Sequence, residues 1–180
     1  STLDRSSAAS DVYKRQQLER FRESFLKAEE LWNNYYTFVK TTVREWEAFR
    51  IDLLDRLSEV RVKLETDLRT TEELSLKLDL GLLSEEKVKK KLDELQEEIA
   101  RLKEEYQTLW LAYEEITLMY ITHCVKSGLP VSLSAGDIEE KKEELKSAVN
   151  KKMVSEEVAQ QLEKILSDEA SMLLHLHEKG

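Results

Sequence analysis

From Leu18 to Leu78, apolar or small residues recur every three or four positions, and no Pro or Gly interrupts residues 17–80. The stripe runs through Phe21, Phe25, Ala28, Trp32, Tyr35, Val39, Thr42, Trp46, Phe49 and Leu53. It continues through Leu57, Val60, Leu64, Leu68, Thr71, Leu74 and Leu78. Steps alternating between three and four are the heptad seam of a coiled coil. Extra steps of four, at Leu53 to Leu57 and Leu64 to Leu68, locally unwind a left-handed supercoil. A single helix of about 95 Å follows from a rise of ~1.5 Å per residue.

The stretch DLGLLSEEK ends that helix. Gly81 suits the left-handed closing position, Leu83 follows it, and Ser84 suits the cap of the next helix. Glu85 and Glu86 fall in the first turn, where the helix dipole favours negative charge. So short a connection (turn near 81–84) predicts an antiparallel pair over residues 17–127. The second helix carries its seam at Val88, Leu92, Leu95, Ile99, Leu102, Tyr106, Leu109, Tyr113, Ile116, Tyr120 and His123. From Tyr106 onward Trp110, Leu111, Leu118, Met119 and Ile121 widen the apolar face, which calls for a third neighbour. A turn centred near Leu82 sets Tyr106 beside Ser58, Tyr113 beside Ile51 and Tyr120 beside Arg44, with Trp46 and Phe49 at the same aromatic end.

A break in KSGLPVSLSAGD, residues 126–137, holds Gly128, Pro130 and Gly136 and predicts a linker over 128–136. Ser134 and Asp137 have capping-box spacing, with Asp in the place of Glu. Residues 137–180 read as a helix pair. The first, from about Asp137 to Asn150, has Ile138, Leu145 and Val149 on one face; the second has Val158, Leu162, Ile165, Leu166, Leu173 and Leu176. Two short helices cannot bury a core alone, so they are expected to pack on or near the aromatic, open end of the long hairpin or on its overhanging first helix. The fold class is therefore all-α: a long antiparallel two-helix coiled coil with a C-terminal helical hairpin. GLLSEEKVKKKLDEL and KKMVSEEVAQQLEKIL form a weak repeat, an apolar pair, Ser-Glu-Glu and an amphipathic helix, which common capping chemistry explains as well as duplication does.

The first sixteen residues, STLDRSSAASDVYKRQ, lack the stripe. Written back as codons, Ser6 to Gln16 resemble translated sequencing-adapter DNA, and Ser1 to Arg5 fit an upstream primer end and barcode. Residues 1–16 are thus expected to be a non-native leader on a metagenomic fragment, with the native N-terminus, and with it a further domain, lost upstream. Without Arg5, Lys14, Arg15, Asp4 and Asp11, the remainder has 25 basic and 35 acidic residues, a net charge of −10.

That acidic balance argues against nucleic acid as a partner, because such binding depends on neutralising phosphates. A single cysteine, Cys124, rules out an intramolecular disulfide and fits a reducing cytoplasm. No run of eighteen apolar residues reads as a membrane span. KVKKK, Lys87 to Lys91, is the one basic cluster and reads as a solvated face opposite Glu72, Glu73 and Asp79; peripheral contact with anionic lipid is the competing reading.

Candidates for chemistry are few. His123 and Cys124 are helical neighbours about 100 degrees apart and cannot share one ion. His175 and His177 lack the i, i+4 spacing of helical zinc sites. Of Glu114 and Glu115, amid aromatics, one is expected to face water, and no acidic residue is marked as held in an apolar pocket. Neither a nucleophile elbow nor a phosphate-cradling glycine loop is present. The expectation is a non-enzymatic protein with no cofactor, metal or catalytic residue.

The segment from Leu53 to Ile99, with Gly81, Leu83, Ser84, Glu85 and Glu86 at its turn, resembles the coiled-coil hairpin of archaeal CdvA-like proteins. The resemblance implies a cytoplasmic, polymer-forming scaffold in cell division or membrane remodelling, with an ESCRT-III-like partner. Members of that family carry a barrel-like domain before the coiled coil, and this chain shows none; the break at 128–136 and the final helices also depart from the pattern. Self-association or binding of partner helices is the expected role. Its interaction seam is Leu53, Leu57, Val60, Leu64, Leu68, Leu92, Leu95, Ile99, Leu102, Tyr106, Leu109 and Tyr113. The second reading is a helical adaptor or sensor module transmitting from a lost N-terminal domain.

Overall fold

The structure, a computed structural model, describes the backbone of residues 2–179 and the side chains of residues 5–176. It is all-helical over these residues: α1 (Thr2–Asp79), α2 (Glu85–Ser127), α3 (Ala135–Asn150) and α4 (Glu156–Lys179). The chain divides into two units, residues 1–42 and 43–180.

The first unit is a length of α1. Helix extends through residues 2–16 as well as through the striped region, and residues 5–16 are all exposed. The expected seam is not covered along most of this unit: Leu18, Phe21, Phe25 and Trp32 are 68, 48, 74 and 48% exposed. Burying such a stripe requires a second surface, and of its residues in this unit Val39 is buried, at 5% exposure. The adapter-like residues Ser1 to Asp4 lie outside the described side chains.

The second unit has one core to which the rest of α1, all three later helices and the loop before α4 contribute. Leu57, Val60 and Leu64 of α1 join Leu102, Tyr106, Ile121 and Cys124 of α2, Ile138 and Leu145 of α3, Met153 and Val154 of the loop, and Leu162 and Leu166 of α4. Leu64, Ile121, Ile138, Leu162 and Leu166 are fully buried, each removing apolar surface from water at about 1.5–3 kcal/mol. Pairing between α1 and α2 runs in opposed chain directions: Arg56 Nη2 meets Glu105 Oε1 at 2.6 Å, and Lys63 Nζ meets Glu98 Oε1 at 2.8 Å. Side-chain pairs fall on both sides of the expected register, Arg56–Glu105, Lys63–Glu98 and Trp46–Tyr113 to one side and Glu47–Tyr120 to the other. Tyr113 packs its ring on Trp46, with centroids 5.8 Å apart, and Ile51 is 58% exposed. The Tyr120 hydroxyl donates to Glu47 rather than lying beside Arg44.

The wide face of α2 is met by α4, which also packs on α3. Contacts of α3 extend from the aromatic end, where Lys141 reaches Glu114, to Arg61, which meets Glu144 at 2.6 Å; just beyond its end, Lys151 lies 3.5 Å from Glu65. The first residue of the next turn, Ser155, donates its N–H to Gln107 at 2.7 Å. Trp110 and Ile121 are buried by this packing, whereas Ile116 and Met119, both expected to be covered, face outward.

Three helix ends close in the same way. At α1, Leu82 N–H reaches the Lys77 carbonyl and Gly81 N–H the Leu78 carbonyl, both at 3.0 Å, with Gly81 at φ 70°. At α2, Leu129 and Gly128 donate to Cys124 and Val125, with Gly128 at φ 69°. At α3, Met153 and Lys152 donate to Ala148 and Val149, and here a lysine takes the left-handed position at φ 62°. This paired 6→1 and 5→2 arrangement satisfies carbonyls left open at a helix end.

Helix starts differ more. Ser134 and Asp137 form the full capping box, Asp137 N–H to Ser134 Oγ at 3.2 Å and Ser134 N–H to Asp137 Oδ2 at 2.8 Å, although α3 begins two residues earlier than expected. Ser84 occupies the N-cap of α2 with extended backbone, yet its side chain makes no capping hydrogen bond. Its counterpart in the weak repeat, Ser155, accepts from Val158 N–H at 3.3 Å. The apolar pairs of the repeat also part ways: Met153 and Val154 are buried, and Leu82 and Leu83 are exposed.

Candidate helical interface and a buried charge cluster

Two features bear on function: the apolar side chains available to other helices, and a set of charges placed inside the core. Of the expected seam, Leu57, Val60, Leu64, Leu95, Leu102, Tyr106 and Tyr113 are buried, and Leu53, Leu68, Leu92, Ile99 and Leu109 are half-buried. Those of them in the core cluster pack within the second unit. Gly81, Leu83 and Ser84, at the turn, are exposed, as are Lys87, Lys89, Lys90 and Lys91. Apolar side chains remain open in both units: in the first, Leu26, Leu31 and Phe38 flank the stripe at 59, 57 and 72% exposure, and in the second Phe49, Ile51, Leu76, Leu80 and Met119 are exposed as well.

Glu114 of α2 and Glu169 of α4 are both 0% exposed, and Lys141 of α3 reaches between them. Its Nζ lies 2.9 Å from Glu114 Oε1 and 3.6 Å from Glu169 Oε1, and 5.2 Å from the centre of the Tyr113 ring. Glu114 Oε2 accepts from the Trp110 indole N–H at 3.1 Å. Neither oxygen of Glu169 has a hydrogen-bond partner. Burial raises the Glu169 carboxyl to about 8, and the neighbouring Glu114 adds to the rise while Lys141 opposes it. For Lys141, burial favours the neutral amine, but the two carboxylates outweigh it and hold its pKa above the usual lysine value. One buried cation thus serves two buried acids, and the arrangement is balanced when one acid keeps its proton.

Each of the three charges sits on an apolar stripe. Glu169 falls between Leu166 and Leu173, Lys141 between Ile138 and Leu145, and Glu114 beside Trp110 and Tyr113. Of the adjacent acids Glu114 and Glu115, one does face water, but the other is held in the core, contrary to the expectation that no carboxylate would be. The signal was present as a charged residue at a stripe position on three separate helices. Only their meeting was invisible.

Beside the cluster is a cavity of about 110 Å³ with Tyr106, Trp110, Tyr113, Glu114, Lys141 and Arg61 among its walls. Glu169, the acid with the raised pKa, is not among its walls. The Tyr106 hydroxyl is buried without a hydrogen-bond partner, and its pKa is raised chiefly by burial. Cys124 is fully buried, and burial pushes its thiol up to about 11, away from the thiolate needed for nucleophilic chemistry. His123 is half-buried and His175 exposed, and the His177 side chain lies outside the described residues. Among the described residues no group of three His, Cys, Asp or Glu side chains could hold a metal ion, and no helix is long and apolar enough to cross a membrane.

Comparison with family models, curated proteins and solved structures returns no match to this chain.

Proposed function

We propose that the chain is a non-enzymatic helical scaffold or interaction protein in which α1 and α2 pair as an antiparallel coiled coil and α3 and α4 brace it. The observation that carries this reading is the open stripe of the first unit and its flank, with Phe21, Phe25 and Trp32 on the stripe and Leu31 and Phe38 beside it between 48 and 74% exposed. Aromatic side chains at heptad spacing gain substantially from burial against another helix. Polymer formation and recruitment of helical partners, as in CdvA-like proteins, are the form this role takes, and peripheral lipid contact through Lys87 to Lys91 is a subsidiary part of it.

Sedimentation velocity over a wide concentration range tests the proposal. Species heavier than one chain, growing with concentration, are expected; a monomer throughout rejects it.

A further inference from the structure

We infer that residues 18–35 of α1 bind the same residues of a second copy in antiparallel orientation, with Arg22 of each copy facing Glu29 of the other. This rests on the scaffold reading above and specifies its first partner.

The inference starts from the heptad positions. Leu18, Phe25 and Trp32 occupy a positions, Phe21, Ala28 and Tyr35 occupy d positions, and Arg22 and Glu29 are consecutive e residues. An antiparallel copy can be set so that Leu18 meets the partner's Tyr35, Phe21 the partner's Trp32, and Phe25 the partner's Ala28. The last layer sets the most exposed ring of the stripe, Phe25 at 74%, against its smallest residue. In that register the e residues of the two copies flank each other, so Arg22 lies opposite the partner's Glu29 on both sides of the twofold axis. Parallel pairing offers no such match. It would set Ser24 against the partner's Glu29 and Leu31 against the partner's Tyr36, and would stack Phe25 and Trp32 on themselves.

Charge also selects this segment. Residues 18–35 hold Arg20, Arg22 and Lys27 against Glu19, Glu23, Glu29 and Glu30, a net charge of −1 in a chain of −9. Two copies can approach here without the repulsion that the acidic remainder would impose. Arg22 is well exposed and lies 3.6 Å from Glu19 within its own helix, and its planar fork of five donors leaves capacity for a second carboxylate.

The full chain is tested by sedimentation equilibrium with Phe25→Glu, Arg22→Glu and the double exchange Arg22→Glu with Glu29→Arg. Phe25→Glu is expected to weaken self-association at least about a hundredfold, and Arg22→Glu about tenfold. The double exchange restores it to within about threefold, because the pair is regenerated with its signs reversed. Circular dichroism melts establish that the second unit stays folded in each variant. A nitroxide on Glu19→Cys, with Cys124 inaccessible in the core, reports orientation: about 25 Å between labels for the antiparallel pair, against about 10 Å for a parallel one. Wild-type association that survives Phe25→Glu, or the short label distance, overturns this inference and leaves the scaffold reading standing. A wild-type monomer overturns both.

Discussion

Lys141 Nζ sits 2.9 Å from Glu114 and 3.6 Å from Glu169, joining α3 to α2 and α4 through one ammonium group. Among the described residues this amine is the one ionic partner that both acids share, so its loss leaves two fully buried carboxyls without a countercharge. Lys141→Met is expected to destabilise the second unit by about 3–5 kcal/mol, the usual cost of breaking a buried pair from one side. Replacing all three together, with Glu114→Gln and Glu169→Leu, should recover most of that loss. Urea unfolding followed by circular dichroism measures both, and equal losses in the single and triple variants would contradict the linkage.

The same cluster sets a pH dependence. The Glu169 carboxyl is raised from 4.5 to about 8, so the folded state holds its proton more tightly than the unfolded chain does. Its stabilising contribution is fully present below about pH 4.5 and is lost as pH rises through about 8. Glu169→Gln mimics the protonated acid and should flatten the stability profile across that window. Thermal melts of both proteins from pH 5 to pH 9 provide the comparison.

Lys152 closes α3 at φ 62°, where a side chain is strained and glycine is not. Lys152→Gly is expected to stabilise the second unit by about 0.5–1 kcal/mol, the strain relieved less the entropy gained by the unfolded chain. Gly128, at φ 69°, has open space around it, so Gly128→Ala should cost about 1–2 kcal/mol through backbone strain alone. Opposite shifts in melting temperature for these two variants are the expected readout.

Tyr120 ties the linker to the long helices. Its hydroxyl donates to Glu47 at 2.8 Å and accepts from the Ser132 N–H at 3.0 Å. Tyr120→Phe should cost about 1–2 kcal/mol and speed amide exchange at Ser132, with the helix cores unaffected. An exchange rate at Ser132 equal to that of the wild type would show that the hydroxyl does not hold the linker.

Much of the local structure was legible residue by residue. Gly81 and Gly128 at positive φ, Ser134 with Asp137 in a capping box, and an all-helical chain follow from short-range rules, because a cap or a left-handed turn is decided within about six residues. Lys152 escaped those rules because nothing local distinguishes it; the burial of Met153 next to it holds the turn closed.

Periodicity identified which side chains seek burial but not what covers them. Leu64 and Phe25 lie on one stripe, yet Leu64 is fully buried and Phe25 is 74% exposed, since burial requires a second surface at the right place. Likewise Glu114, Lys141 and Glu169 can each be read in sequence as a charge on an apolar stripe, and only packing brings them together in a core where their charges depend on one another. Helix type and helix ends are set by near neighbours along the chain. The partner of each face, and the state of charge within the core, are set by distance in space.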